Sequence, residues 1–178
     1  INRQAVALHS TVGMRKTNVM AERMRDINPD ISVREFDIFV DESNIDGIDF
    51  SRYDIVLDAI DTVTSKVLII ERAYAARVPV ISCMGAGNKL DTAAFRYADI
   101  SRTSVCPLAR AVRTALRKKG ITQGVGAVFS TEQPKSVLVD DGCSSRHIPA
   151  SNVFAPAAAG LMLARCAVLE IIGEEGAK

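Results

Sequence analysis

Residues 53–60 form an almost unbroken apolar run that carries two aspartates, Asp54 and Asp58. A helical stretch over 62–77 follows, and then a second short apolar run at 78–83 that ends before the turn Gly85-Ala86-Gly87. A strand apolar on both faces must be covered on both faces, which is the situation of strands in a parallel sheet. Parallel neighbours cannot be joined by a tight turn, and residues 62–77 are long enough to form the helical crossover they need. Strand, helix and strand in this order predict an α/β fold, a Rossmann-like, mostly parallel sheet flanked by helices. Thr62 or Thr64 is placed to cap the crossover helix.

The flanking segments extend this pattern. Val19, Met20, Met24 and Ile27 recur near a 3.6-residue period and predict a helix over 15–26, closed by Asn28-Pro29-Asp30. Residues 31–36 alternate as a strand does, and an acidic loop follows at 41–49. Pro107 opens a helix whose polar face is basic: Arg110, Arg113 and Arg117, then Lys118 and Lys119. Residues 125–131 read as a strand and 134–150 as a loop. The apolar run 152–172 has the length of a membrane span, but Arg165 and Glu170 interrupt it and Pro156 lies in its first turn. It reads as a buried core or dimer-interface helix.

Composition narrows the functional classes. A net charge of +1 over 178 residues does not announce a nucleic-acid binder, so any such role needs a local basic patch. The four cysteines (Cys83, Cys106, Cys143, Cys166) form no Cys-x-x-Cys pair, which argues against a zinc knuckle and suits a reducing cytoplasm. Peripheral membrane association stays open. The chain opens on Ile1-Asn2-Arg3-Gln4 without an initiator Met or an apolar first strand. The expectation is one domain over residues 1–178, incomplete at its N-terminal side.

Three separated pieces carry the chemistry. They are Asn2-Arg3-Gln4 with His9 beyond it, Gly13-x-x-Lys16 at a helix start, and Asp58-Ala59-Ile60-Asp61 at a strand end. In this order they resemble the ThiF/MoeB/HesA activating enzymes, whose pattern is N-x-x-R-Q, then G-x-x-K, then a D-x-x-D strand end. The resemblance implies that Arg3 and Lys16 bind the phosphates of ATP, that Asp61 is the Mg2+ carboxylate, and that Asn2 and Gln4 add polar contacts. The chemistry asks for such residues. Attack of a carboxylate on the α-phosphorus gathers negative charge as pyrophosphate leaves, so cationic stabilisation and positioning dominate. An Arg grips phosphate oxygens bidentately and a Lys supplies a compact charge. Losing one such group should cost on the order of 3–4 kcal/mol of transition-state stabilisation. Taken singly, Asp61 could instead cap the following helix, Lys16 could be a solvated first-turn residue and Arg3 an exposed arginine. The family's glycine-rich phosphate loop is expected upstream of Ile1; Gly85-Ala86-Gly87 follows a later strand and does not replace it.

The second half resembles the TcdA subgroup of that family, in Asp99-Ile100, Cys106-Pro107-Leu108-Ala109-Arg110-x-x-Arg113, Gly120-Ile121, Val128-Phe129-Ser130-Thr131-Glu132 and Ser151-Asn152-Val153-Phe154. That resemblance implies ATP-dependent adenylation of the threonylcarbamoyl carboxylate on tRNA N6-threonylcarbamoyladenosine, leading to cyclisation with net loss of water. It implies ATP and Mg2+ as cofactors without zinc, the modified tRNA as substrate, and a homodimer, and leaves room for a sulfur-transfer or regulatory protein partner. Arg110, Arg113 and Arg117 are the candidates for gripping tRNA phosphates, against the plainer reading of a solvated helix face. Cys106 stands where an Asp is common, Pro149 where some relatives have Cys, and Thr62 where Asn or Ser follows the acid. His9, His147 and Cys143 are read as structural or inert. Two other functions remain: adenylation of a ubiquitin-like sulfur carrier's C-terminal glycine, and a non-catalytic nucleotide- or tRNA-binding module.

Overall fold

A computed structural model describes residues 4–134, 138–140, 145–147 and 152–173, the side chains of 138–140 and 145–147 excepted. The chain divides into two compact units, Ile1–Val40 and Asp41–Lys178.

In the first unit, the turn at Gly13 adopts φ +86°, a left-handed conformation that glycine accepts without strain. It leads into helix α1, Lys16–Ile27, which buries only Ala21. Residues 31–36 pair with no strand among the described residues, so the expected strand is not realised. Alternation alone does not make a strand, which also needs a hydrogen-bonding neighbour. Within the segment Glu35 pairs with Arg25 of α1 at 3.3 Å, and just beyond it Asp37 pairs with Arg15 at 3.2 Å.

The second unit holds the predicted βαβ unit: β1 (Val56–Asp58), helix α2 (Val63–Ala75) and β2 (Val80–Cys83). An edge strand β3 (Phe95–Asp99), helix α3 (Pro107–Lys118 with proline in its first turn) and β4 (Gly126–Ser130) follow. The strand order is β1-β2-β4-β3, with the first three parallel and β3 antiparallel to β4. A further hairpin of β5 (Leu138–Asp140) and β6 (Ser145–His147) lies inside what the sequence suggested was loop. Helix α4, Phe154–Ile172, closes the described chain and ends at Gly173 with φ +69°.

Alternation along β2 assigns the two faces of the sheet. Ile81 and Val128 join Phe95 and the small, buried stripe of α4, Ala155, Ala159, Leu163 and Cys166, in one cluster. Side chains of adjacent strand residues point to opposite faces. Ser82 therefore faces the other side, where Lys66 of α2 meets it. The alanines of α4 let its backbone approach the sheet closely, which is how so apolar a helix serves as a core element. Its outward side stays open, with Leu161 74% and Ile171 60% exposed.

Candidate active site

In the first unit, Gln4 and Lys16 line one shallow depression of about 190 Å3 together with Thr11 and Gly13. Thr11 shapes its wall: its Oγ1 donates to the Val6 carbonyl at 2.6 Å and accepts from the Leu8 amide at 2.8 Å. Lys16 is exposed and is the first residue of α1, the helix end where N–H groups have no helical acceptor. A lysine and a helix N-terminus together favour an anion. His9 stands exposed in a single turn, His9–Thr11. Asn2 and Arg3 lie outside the described residues, as does Cys143.

In the second unit, Asp58 and Asp61 have opposite surroundings. Asp58 ends β1 and is buried; its Oδ2 accepts from Lys66 Nζ at 2.7 Å and from Ser82 Oγ at 2.5 Å. Its Oδ1 accepts from the Ile60 amide at 3.0 Å. Lys66 is fully buried and uses all three N–H groups, the other two on Ser82 Oγ at 3.1 Å and the Cys83 carbonyl at 2.8 Å. Asp61, three residues on, is exposed at the C-terminal edge of the parallel strands, where ligands bind in open α/β sheets. Among the described residues its carboxylate receives one hydrogen bond, from the Thr62 hydroxyl at 3.5 Å. Thr62 occupies the N-cap of α2 and makes no side-chain cap bond, so neither the Thr62 cap nor an Asp61 cap is formed.

That carboxylate fits a magnesium ion that rests mainly on its ligand's phosphates. Among the described residues no group of three His, Cys, Asp or Glu could enclose a metal. Mg2+ commonly uses one or two protein carboxylates and fills its shell with water and phosphate oxygens, so a single exposed Asp is a sufficient donor set.

The rest of this end of the unit is braced by polar contacts. Buried Lys89 donates to the Glu132 carbonyl, and the Glu132 carboxylate accepts from the amides of Leu90 and Asp91, each at 2.9 Å. Asn152 Nδ2 donates to the Lys89 carbonyl at 2.7 Å while its Oδ1 caps α4 at the Ala155 amide, 2.8 Å away. At the opposite end of the sheet, where β3 finishes beside the start of β4, burial opposes ionisation of Asp99, but bonds from the Ser101 hydroxyl and amide and from the Gly124 and Val125 amides hold its carboxyl below the usual range. Burial pushes the Cys83 thiol from 9.0 up to about 11, the Lys66 ammonium drawing it down only in part. Cys106 is a buried N-cap of α3 and makes no cap bond through its side chain.

The basic helix face is not uniform. Arg113 turns inward and donates to the Thr103 carbonyl at 2.9 Å and to the Thr103 hydroxyl. Lys119 pairs with Glu71 at 2.9 Å. Arg110 and Lys118 remain exposed and line one groove on the helix with Thr114 between them; Arg117 is exposed too.

Sequence reasoning missed Lys66 and Ser82. A signal existed: Lys66 stands four and seven residues before Ile70 and Ala73, both fully buried, so it shares the core face of α2. A lysine in that register needs acceptors, and the polar residues interrupting the two apolar strands, Asp58 and Ser82, supply them.

A mostly parallel sheet with a helical crossover defines a Rossmann-like α/β domain. The ThiF family pattern matches residues 1–174, and the chain belongs to the ThiF family. It is 38% identical over 182 residues to the tRNA threonylcarbamoyladenosine dehydratase of Bacillus subtilis, a match spanning 97% of this chain and 72% of that protein. The crystal structure of Escherichia coli tRNA N6-threonylcarbamoyladenosine dehydratase, TcdA, in complex with AMP superposes with a TM-score of 0.84 at 31% identity, over 97% of this chain and 70% of that one. The same enzyme in complex with ATP gives a TM-score of 0.80 at 31% identity, again over 97% and 70%.

Proposed function

We propose that this protein uses ATP to adenylate the threonylcarbamoyl carboxylate of tRNA N6-threonylcarbamoyladenosine, and that the activated carboxyl then closes into a ring. The substrate oxygen attacks the α-phosphorus and pyrophosphate departs. A nucleophile within the same modification next attacks the acyl carbon and AMP leaves, carrying the oxygen that makes the net change a dehydration. The observation that carries this reading is the similarity, over nearly the whole chain, to dehydratases of that name, one of them solved with AMP and with ATP.

The residue roles follow from charge and placement. Arg3 and Lys16 take the phosphates, with Lys16 acting beside the free amides that open α1. Gln4, on the rim of the same depression, and Asn2 add polar contacts to the nucleotide. Asp61 is the carboxylate for magnesium, which when bound supplies charge neutralisation at the phosphates. Arg110, Arg117 and Lys118 are the cations left to meet tRNA phosphate, whereas Arg113 braces α3 on Thr103. The chain acts as one adenylating domain in a cytoplasmic homodimer, with the outward apolar side of α4 as the surface joining the copies.

ATP–pyrophosphate exchange by the protein tests the assignment. Exchange that requires tRNA bearing threonylcarbamoyladenosine supports it. Exchange driven by a ubiquitin-like carrier protein, or none with the modified tRNA, contradicts it.

A further inference from the structure

We infer that Lys66 is a positioning residue, which sets the turn carrying Asp61 rather than acting on the nucleotide itself. The inference rests on the reading of Asp61 given under Proposed function. Lys66 is the fourth residue of α2, and its ammonium lies behind the sheet edge with all three N–H groups engaged on β1 and β2. Two of its acceptors, Asp58 and Ser82, are register partners on the neighbouring strands, and the third is the last carbonyl of β2. Lys66 therefore fixes the ends of two strands and the start of one helix relative to one another.

The consequence for the site comes through Asp58. One carboxylate oxygen is held by Lys66 and Ser82, while the other accepts the Ile60 amide at 3.0 Å. That amide belongs to the residue before Asp61, so the buried ion pair dictates the backbone turn on which Asp61 stands. Asp61 has little else to fix it, since its one hydrogen bond among the described residues is the 3.5 Å contact from Thr62. A buried ion pair is commonly no more stabilising than apolar residues of equal volume. Stability alone therefore gives no reason for this pair on a helix that also buries Val67, Leu68 and Ile70, and geometry gives one. The Lys66 charge is matched by Asp58, so its effect on catalysis is one of placement, not field.

The test compares Lys66→Met, Ser82→Ala and Asp61→Asn in the intact protein, by hydrogen–deuterium exchange over residues 59–62, thermal unfolding, and adenylation at varied Mg2+ and ATP. Lys66→Met should raise exchange in that turn about tenfold or more beyond any global loss of stability, because the Ile60 amide loses its fixed acceptor. It should lower kcat on the order of 10–100-fold per folded molecule, as misplacement of a site group does, and raise the Mg2+ needed for half-maximal rate. Ser82→Ala removes one bond from the network and should move both readouts in the same direction by less; it decides the matter if Lys66→Met does not fold. Unchanged turn exchange and unchanged rate per folded molecule, with only a lower melting temperature, would overturn the inference. If Asp61→Asn keeps full adenylation, the reading of Asp61 fails and the inference with it. If Asp61→Asn is inactive while Lys66→Met and Ser82→Ala keep turn and rate intact, the inference alone fails.

Discussion

Replacing Asp58 by Ala should be among the most destabilising single changes in the second unit. The carboxylate is buried and accepts three hydrogen bonds, from Lys66, Ser82 and the Ile60 amide. Its removal leaves the buried Lys66 ammonium with only two neutral acceptors, Ser82 Oγ and the Cys83 carbonyl. Breaking one side of a buried pair costs about 3–5 kcal/mol, because the remaining charge stays desolvated. An amide left without its acceptor adds about 1–3 kcal/mol if water cannot reach it. A loss of roughly 4 kcal/mol is a large share of the stability of an ordinary domain, about 5–15 kcal/mol. With a urea dependence of about 2 kcal/mol per molar, the unfolding midpoint should fall by about 2 M. Lys66→Met should cost a similar amount, since it strands the carboxylate instead. The double variant Asp58→Ala/Lys66→Met removes both charges and should be no worse than either single change, a strongly non-additive cycle. Losses under about 1 kcal/mol for the single variants, or a double variant equal to their sum, would refute the view of these groups as one buried unit.

Other consequences are simpler to check. The Cys83 thiol is raised from 9.0 to about 11 by burial, so the native state keeps its proton where the unfolded chain gives it up. A raised native value means stability that is whole below pH 9 and is lost as the pH climbs through about 11. Urea titrations across that window should show this decline shrinking in Cys83→Ala. On α3, Arg110→Gln and Lys118→Gln should each weaken tRNA binding and reduce the slope of log K against log salt by about 1. Arg113→Gln should leave that slope unchanged and lower the melting temperature, since its guanidinium is spent on Thr103. No change of slope for Arg110→Gln and Lys118→Gln would remove α3 from the tRNA surface, and an altered slope for Arg113→Gln would refute its assignment to Thr103.

Much of the fold was legible because its signals are local. The apolar runs around Asp58 and Ser82, the crossover helix and the proline-opened α3 each carry their own periodicity or breaker. What depended on distant partners was not legible. Residues 31–36 alternate like a strand, yet they find no strand partner among the described residues and Glu35 pairs with Arg25 of α1. β3 went unread because Phe-Arg-Tyr-Ala-Asp has one fully buried position and becomes a strand by pairing with β4. Lys66 illustrates the same limit at the site, for its three acceptors come from residues 8, 16 and 17 positions away. Asp61 could be picked out by resemblance, but what shapes its turn appeared only in three dimensions.

The most direct measurement of the central claim is the mass of the modified nucleoside after tRNA bearing threonylcarbamoyladenosine is incubated with the protein, ATP and Mg2+. The account predicts loss of one water from that nucleoside, with AMP and pyrophosphate released in step, and no change when ATP is withheld or Asp61 is replaced by Asn. An unaltered nucleoside alongside adenylation of a carrier protein would contradict it.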